Sequence, residues 1–481
     1  MMKRFRWYDH LSINLYWLGM NIRNTAIGSV FMPYLVDMFV KPEVKNTSLG
    51  AMRAAGLIIA MLVQPAAGLL SDRNTSRFGR SRPYIFVGVL FDLLFLALIA
   101  LSGSYWMLFI VLLFQQFSAN VSHGPLQGLI PDLVPENQRG RSSGVKALFE
   151  LIPLIVIPFT IAKLVSNQQV GMAAVVTGGI LLLTMLLTML LVKEKPLTEK
   201  PSASLREPML RVLGMLGGIL AGGAAGFLAG GLLGGLAGLI TWLLAGKELA
   251  QVIGFSLGGA IAMIVAVVVG VWGGALATLC NDARRNSSFT WWVVNRLFFL
   301  AGVTSIQGFA TYFLMSAFKV TREVGVKMNA DLMMVVGLCT LISALLGGFL
   351  SDKFSVRKMV GIAGVAAVAG TMVLLVTTVI PNLTVMYVAG IIIGLGAGLF
   401  MTTNWALGTE LAPAAEAGRY LGISNLAGAG AGMIGAGIGG LVADRVSLFF
   451  PGMGYLVIFT CYALLFTLSA ISLVKVRKAQ L

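Results

Sequence analysis

Three ionisable side chains stand inside long apolar runs. Arg23 lies beside Asn21 and Asn24, Asp92 sits in VGVLFDLLFLALIA, and Glu150 follows Lys146 by one helical turn. A charge in an apolar bundle is costly unless paired, so such groups are functional candidates by default. The chemistry open to them is counter-ion pairing, contact with a polar solute, and exchange of a proton. Arg53 and Asp37 are nearer a run's end and can reach towards water, which weakens their case. Glu150, with Lys146 on its face and Arg23 within reach across a bundle, is the first candidate for proton coupling. Asp92, with only apolar sequence neighbours, is the second and could stay protonated as a hydrogen-bond donor.

Uncharged polar residues share these runs: Gln64, Gln115, Gln116, Asn120, Gln307, Tyr312, Asn404 and Trp405. Amides, hydroxyls and a few aromatics can read a hydroxylated solute without trapping a strong charge. Each is about as well explained as glue between helices. Signs of catalysis are missing from the sequence: there is no G-x-x-x-x-G-K-[ST], no H-E-x-x-H, no Cys/His cluster and no nucleophile elbow. Cys280, Cys339 and Cys461 are isolated, and His10 and His123 read as hydrogen-bonded structure rather than proton relays. Neither an enzyme nor a cofactor is expected, and a role for nucleic acid is not.

The elements that must carry these residues are set by composition. Of 481 residues, 57% are hydrophobic and 11% charged. Apolar runs of about 20 residues recur along the chain, as a membrane-crossing helix requires. They are continuous rather than alternating, which excludes barrel strands. Helices are expected near 12–40, 48–71, 83–102, 105–129, 143–165 and 171–192, then near 289–316, 328–351, 357–379, 384–408, 418–443 and 454–474. Between the sets lie a polar linker, Lys193 to Arg211, and two further runs, Leu213–Leu244 and Gln251–Leu279. Glycines 218, 222, 226, 230, 234 and 238 give the first of these a flat packing face. A plain hairpin joining the halves is favoured over an oligomer contact.

The expectation is therefore an all-α polytopic protein of fourteen helices. It divides into a six-helix bundle (1–200), a linker with a Gly-rich hairpin (201–285) and a second six-helix bundle (286–481). The N-terminus, MMKRFRWYDHLS, is basic and polar, and no removable signal peptide is expected. The net charge of +16 falls mostly on segments that alternate to one side. That pattern places both termini in the cytoplasm of a cell membrane, with anionic lipid a secondary partner.

The two sets repeat one another. Gly68-Leu-Leu-Ser-Asp72-Arg73 recurs as Gly348-Phe-Leu-Ser-Asp352-Lys353, and Asp132-Leu-Val-Pro135 with Arg139 and Arg141 recurs as Glu410-Leu-Ala-Pro413 with Arg419. The loop after the second run, SDRNTSRFGRSRPY, adds Arg77, Arg80 and Arg82 to Asp72 and Arg73. A short basic loop with a carboxylate at a helix C-terminus suits a latch on the cytoplasmic face.

G-x-x-S-D-R…R-x-G-R-x-R-P resembles the signature of the major facilitator superfamily. Its wording is most similar to the sucrose/proton symporter and glycoside–pentoside–hexuronide:cation symporter branch. The resemblance implies two parallel six-helix repeats, alternating access, and a cavity lined by helices one, four, seven and ten, where Arg23, Asn24, Gln115, Gln116, Asn120, Gln307, Tyr312, Asn404 and Trp405 fall. It implies symport of a small polar solute, a sugar or glycoside, on a proton gradient, with a sodium gradient the other option. The alternatives are a drug/proton antiporter, a transporter of amphipathic lipid, and a non-transporting receptor or scaffold. Sucrose-type symporters carry an acidic residue in the fourth helix, where this chain offers Gln115, Gln116, Asn120 and His123, and melibiose-type relatives carry acidic residues in the second, where it has Gln64; neither coupling site carries over residue by residue.

Overall fold

The computed structural model describes residues 6–135, 138–194, 206–280, 282–411 and 417–476, with the side chains of 140, 208, 351–352 and 417–429 not described. In chain order the α-helices are α1 (Trp7–Ala26), α2 (Met32–Phe39), α3 (Lys45–Ser71), α4 (Arg82–Ala100), α5 (Tyr105–Leu133), α6 (Arg139–Ile157), α7 (Lys163–Ser166) and α8 (Val170–Leu191). Then come α9 (Arg206–Ala245), α10 (Lys247–Leu279), α11 (Asp282–Arg285), α12 (Ser287–Phe318), α13 (Arg322–Lys353), α14 (Val356–Val379), α15 (Leu383–Leu411), α16 (Ala417–Phe449) and α17 (Met453–Ser472).

Among the described residues, 13 helices are long and apolar enough to cross a membrane. The segment expected at 12–40 is not one of them. It is helical from Trp7 to Phe39, but Asp9, His10, Asn14, Asn21, Arg23 and Asn24 make α1 too polar. A π-helical turn, Ile27–Phe31, joins α1 to α2 directly after the Arg23–Asn24 pair. Such turns are frequent at functional sites.

Local chemistry explains several helix starts. Ser104 Oγ accepts from Met107 N (3.2 Å) to cap α5, and Asn382 Oδ1 accepts from Val385 N (3.1 Å) before α15. Asn286 does the same for α12 by accepting from Phe289 N (3.3 Å). Gly246, at φ +92°, makes the turn between α9 and α10, a backbone region that side chains disfavour.

The chain forms two compact units. The first holds Met1–Phe39, Ile58–Leu210 and Arg322–Met334, and the second Val40–Leu57, Arg211–Thr321 and Val335–Leu481. The sequence halves thus exchange helix ends: α3 begins in the second unit and α13 in the first.

In the first unit α1 packs on α6 and α8, and α4 on α5 and α8. Ile13, Tyr16, Trp17 and Met20 of α1 join Val89, Leu126, Leu129, Leu181 and Met185 in one buried cluster. His10 is a structural histidine: Ser142 Oγ lies 2.6 Å from its Nδ1 and Gln138 Oε1 3.2 Å from its Nε2. Arg322 donates to the Asp37 carboxylate (2.9 Å) at the start of α13.

In the second unit α12 is the hub and the most buried helix, packing on α10, α15, α16 and α17. Phe299 and Phe400 stack at 3.6 Å between centroids where α12 meets α15. The start of α3 is held by α16: the buried Asp444 carboxylate accepts from Asn46 Nδ2 (2.8 Å) and Thr47 N (2.6 Å). A carboxylate on helix N-terminal amides is favourably placed. Arg53, expected to reach outward, instead lies over Gly308 of α12 so closely that a side chain there would collide with its guanidinium.

The Gly-rich α9 and α10 pack on each other. A Cβ at Gly218, Gly222, Gly226, Gly230 or Gly234 would strike the α10 backbone between Gly254 and Gly274, whereas Gly217, Gly223, Gly231 and Gly235 meet nothing. The flat face is thus used within the hairpin, and α10 carries the pair onto α16. Leu228, Leu232, Leu236, Leu243 and Leu244 of α9 are left exposed, as in a lipid-facing surface.

Candidate functional site

The first cluster is built from α1, α4 and α5. Arg23 Nε lies 3.0 Å from Asp92 Oδ2, with 2% and 0% of the two side chains exposed. Gln115 Nε2 donates to Asp92 Oδ1 (2.9 Å), and Arg23 donates to Asn24 Oδ1 (2.6 Å). Arg23, Asp92 and Gln115 are sealed, while Asn24 at the edge is exposed. Tyr16, also buried on α1, donates to Ser122 Oγ (2.7 Å) on α5.

This corrects one expectation. Arg23 pairs with Asp92 rather than with Glu150. The residues flanking Asp92 along α4 are apolar, but its spatial neighbours come from α1 and α5. Glu150 is 39% exposed and bonds to Lys146 (3.3 Å) on its own helix, as expected.

Lys146 belongs to a second polar cluster of the same unit. Its Nζ lies 4.0 Å from the centroid of the Trp17 ring, and Trp17 meets His123 edge-on at 5.3 Å. Gln64 Nε2 and Gln127 Nε2 each lie 3.4 Å from His123 Nε2, which suits a neutral ring accepting there. Gly124 makes this possible: a Cβ at that position would run into the Gln64 carbonyl of α3. On α5, Asn120 donates to the Gln116 carbonyl (2.7 Å), and Asn120 is buried while Gln116 is partly open.

The third cluster lies in the second unit, and its cation was not among the residues expected from the sequence. Arg296, on α12, donates to Asn404 Oδ1 (3.1 Å) and lies 5.2 Å from the centroid of Trp405. Asn404 donates to Asn295 Oδ1 (2.7 Å), and Asn295 donates to Ser469 Oγ (2.9 Å). Trp292 donates to the Asn404 carbonyl (2.9 Å), and its ring occupies the space a side chain on Gly408 would need. Arg296 stands in an apolar run, WWVVNRLFFL, so the rule that singled out Arg23 and Asp92 would have found it. Gln307 and Tyr312 lie further along α12; Gln307 is partly open, while Tyr312 is buried with Lys45 Nζ 4.8 Å from its ring centroid.

The basic loop forms a knot inside the first unit. Arg80 bonds to Asp132 and lies 3.7 Å from Asp72, whose side chain is 53% exposed. Arg82 donates to the carbonyls of Met189 (2.7 Å) and Val192 at the end of α8. Glu194, also overlooked, accepts from Ser81 N (3.0 Å) and Arg82 N (3.4 Å) at the start of α4. Arg139 donates to the Pro131 carbonyl (2.8 Å). Arg73 is half-buried, Arg77 lies over Phe78 and Arg141 is exposed. The side chains of Asp352 and Arg419 lie outside the described residues.

The family profile described as Major Facilitator Superfamily matches residues 17–294 and 297–480. A sucrose transport protein of Oryza sativa subsp. japonica is 33% identical over 116 residues, which cover 20% of this chain and 22% of that protein. The match therefore spans about a fifth of the curated relative's length.

Three solved structures share the fold at low identity. A D-xylose-proton symporter has a TM-score of 0.66 at 14% identity, covering 98% of each chain. A nucleoside transporter has a TM-score of 0.65 at 13% identity, covering 98% of this chain and 100% of its own. A POT family transporter in complex with 5-aminolevulinic acid has a TM-score of 0.67 at 14% identity, with 98% and 95% covered. The profile match runs over nearly the whole chain, and the all-helical fold agrees with it: the protein is a multi-pass membrane transporter that belongs to the major facilitator superfamily.

Proposed function

We propose that the chain moves a small polar solute, a sugar or glycoside, across the cell membrane by alternating access, driven by symport of a proton. The observation that carries this reading is the sealed Arg23–Asp92–Gln115 cluster, with Asn24 at its open edge. A proton placed on Asp92 removes the anion that holds Arg23. The guanidinium then needs acceptors, which Asn24 and solute hydroxyls supply. Proton and solute therefore raise each other's affinity, the coupling that symport demands.

Asp92 replaces Glu150 as the preferred proton site, because Glu150 is half in solvent and held by Lys146 of its own helix. Trp17, Gln64, His123 and Gln127 supply an aromatic face and amides for a hydroxylated solute. Two relatives, a sucrose transport protein and a D-xylose-proton symporter, support the solute class. Both termini and the knot of Asp72, Arg80 and Asp132 face the cytoplasm in this reading, as the positive charge favours. The α9–α10 pair adds a two-helix crossing between the bundles.

Uptake of a panel of sugars, sugar acids and glycosides into proteoliposomes, with and without an imposed pH gradient, tests the reading. Uphill accumulation of at least one of them that collapses with the gradient is expected. Equal uptake with and without the gradient contradicts proton coupling.

A further inference from the structure

None of the described residues supplies an anion to Arg296. Among the described residues its polar contacts are the Asn404 amide oxygen and the Trp405 ring, and its Nε is sealed with no acceptor. The contrast with Arg23 is informative, since both cations stand in apolar helices and Arg23 has Asp92. Arg296 lies nine residues into α12, about 14 Å from its start at 1.5 Å per residue, within the apolar run. A guanidinium without a counter-charge in an apolar helix is costly, and no described carboxylate of α15 or α17 pairs with it.

The neighbours are built to hold the cation in place. Asn295 and Asn404 are fully buried and tie α12 to α15 and α17, while Arg296 and Trp405 remain partly open. A guanidinium that is fixed on one side, stacked on an indole and open on the other is a receptor for a planar anion. Its fork matches two carboxylate oxygens, a geometry lysine does not offer.

We propose that Arg296, with Asn404 and Trp405, forms a subsite for a carboxylate on the transported solute, so that the solute is a small hydroxylated acid rather than a neutral sugar. This rests on the reading above that the chain carries a small polar solute, and it narrows that class. Binding neutralises the one cation of this cluster that the protein leaves uncompensated. The indole adds a cation–π contact that keeps the guanidinium plane in register with the incoming carboxylate.

The test uses purified full-length protein in proteoliposomes and matched pairs of solutes: glucuronate with glucose, galacturonate with galactose, and gluconate with sorbitol. Uptake of each is measured for wild type, Arg296→Gln and Arg296→Lys. At least one acid should enter at least tenfold faster than its neutral partner. Arg296→Gln should remove that preference, and Arg296→Lys should keep part of it by retaining the charge without the fork. Gln64→Ala, in the other unit, should lower uptake without changing the ratio of acid to neutral.

Uptake of the neutral partners alone, or of both members of a pair equally, overturns the acid subsite and leaves the sugar reading standing. Uptake of neither set overturns both. An acid preference that survives Arg296→Gln intact assigns the carboxylate to another residue and overturns the role of Arg296. Should Arg296→Gln fail to reach the membrane, Arg296→Lys carries the test, since an unchanged preference and unchanged apparent affinity for the acid refute the bidentate contact.

Discussion

Breaking the Arg23–Asp92 pair from one side should cost far more than removing both charges. At the observed separation of 3.0 Å and an effective dielectric of about 20, the Coulomb attraction is about 5.5 kcal/mol. Both side chains are essentially sealed, so little of this is screened by solvent. Asp92→Asn keeps a hydrogen-bonding group for Gln115 but strands the Arg23 cation. Arg23→Gln strands the Asp92 anion. Each single variant should lose about 3–5 kcal/mol, the usual cost of leaving one partner of a buried pair uncompensated. The double variant strands neither charge and should recover at least half of the summed loss. Reversible unfolding in mixed detergent micelles, followed by tryptophan fluorescence, provides the double-mutant cycle. A double variant as unstable as the sum of the two singles would show that the pair does not act as a unit, and the coupling scheme would lose its physical basis.

Arg80→Gln should impair transport more than Asp72→Asn, because Arg80 grips Asp132 closely while Asp72 is half exposed at 3.7 Å; equal effects in an uptake assay contradict that ranking. Gly230→Leu should destabilise the protein, since its Cβ meets the α10 backbone, whereas Gly231→Leu should be neutral because nothing lies within 4 Å. Thermal unfolding of the two variants separates these outcomes. A cysteine at Lys247, introduced in a background lacking Cys280, Cys339 and Cys461, should react with an impermeant reagent added outside intact cells. Labelling only after permeabilisation means that α9 and α10 do not cross as a pair.

Much of the fold was legible because a bilayer leaves the backbone few options. Runs of the right length became helices, and the repeated Ser-Asp motifs at Asp72 and Asp352 fall at the ends of α3 and α13, equivalent places in the two repeats. Helix ends were less legible: α5 continues through Pro125 and Pro131 to Leu133, beyond the expected stop at 129. The exchange of helix ends between the units had no one-dimensional signature, since Asp37 meets Arg322 and Asn46 meets Asp444 across hundreds of residues. The same is true of Asp92. Its neighbours along α4 point into other surroundings, so an apolar local sequence concealed a paired carboxylate. Lys146 and Glu150 were readable because one helical turn is itself a contact. Arg296 was readable too, by charge in an apolar run, and what the sequence did not disclose was that no acid among the described residues comes to meet it.

In the proposed cycle, solute entry carries a proton through Asp92. Proteoliposomes holding a pH-sensitive dye, given an inward gradient of a transported solute, measure this directly. Wild type should acidify the lumen as the solute enters. Asp92→Asn should exchange labelled for unlabelled solute without acidification, and Glu150→Gln should acidify as wild type does. Acidification by Asp92→Asn at the wild-type rate rules out Asp92 as the proton carrier, and solute entry in wild type with no proton movement rules out symport.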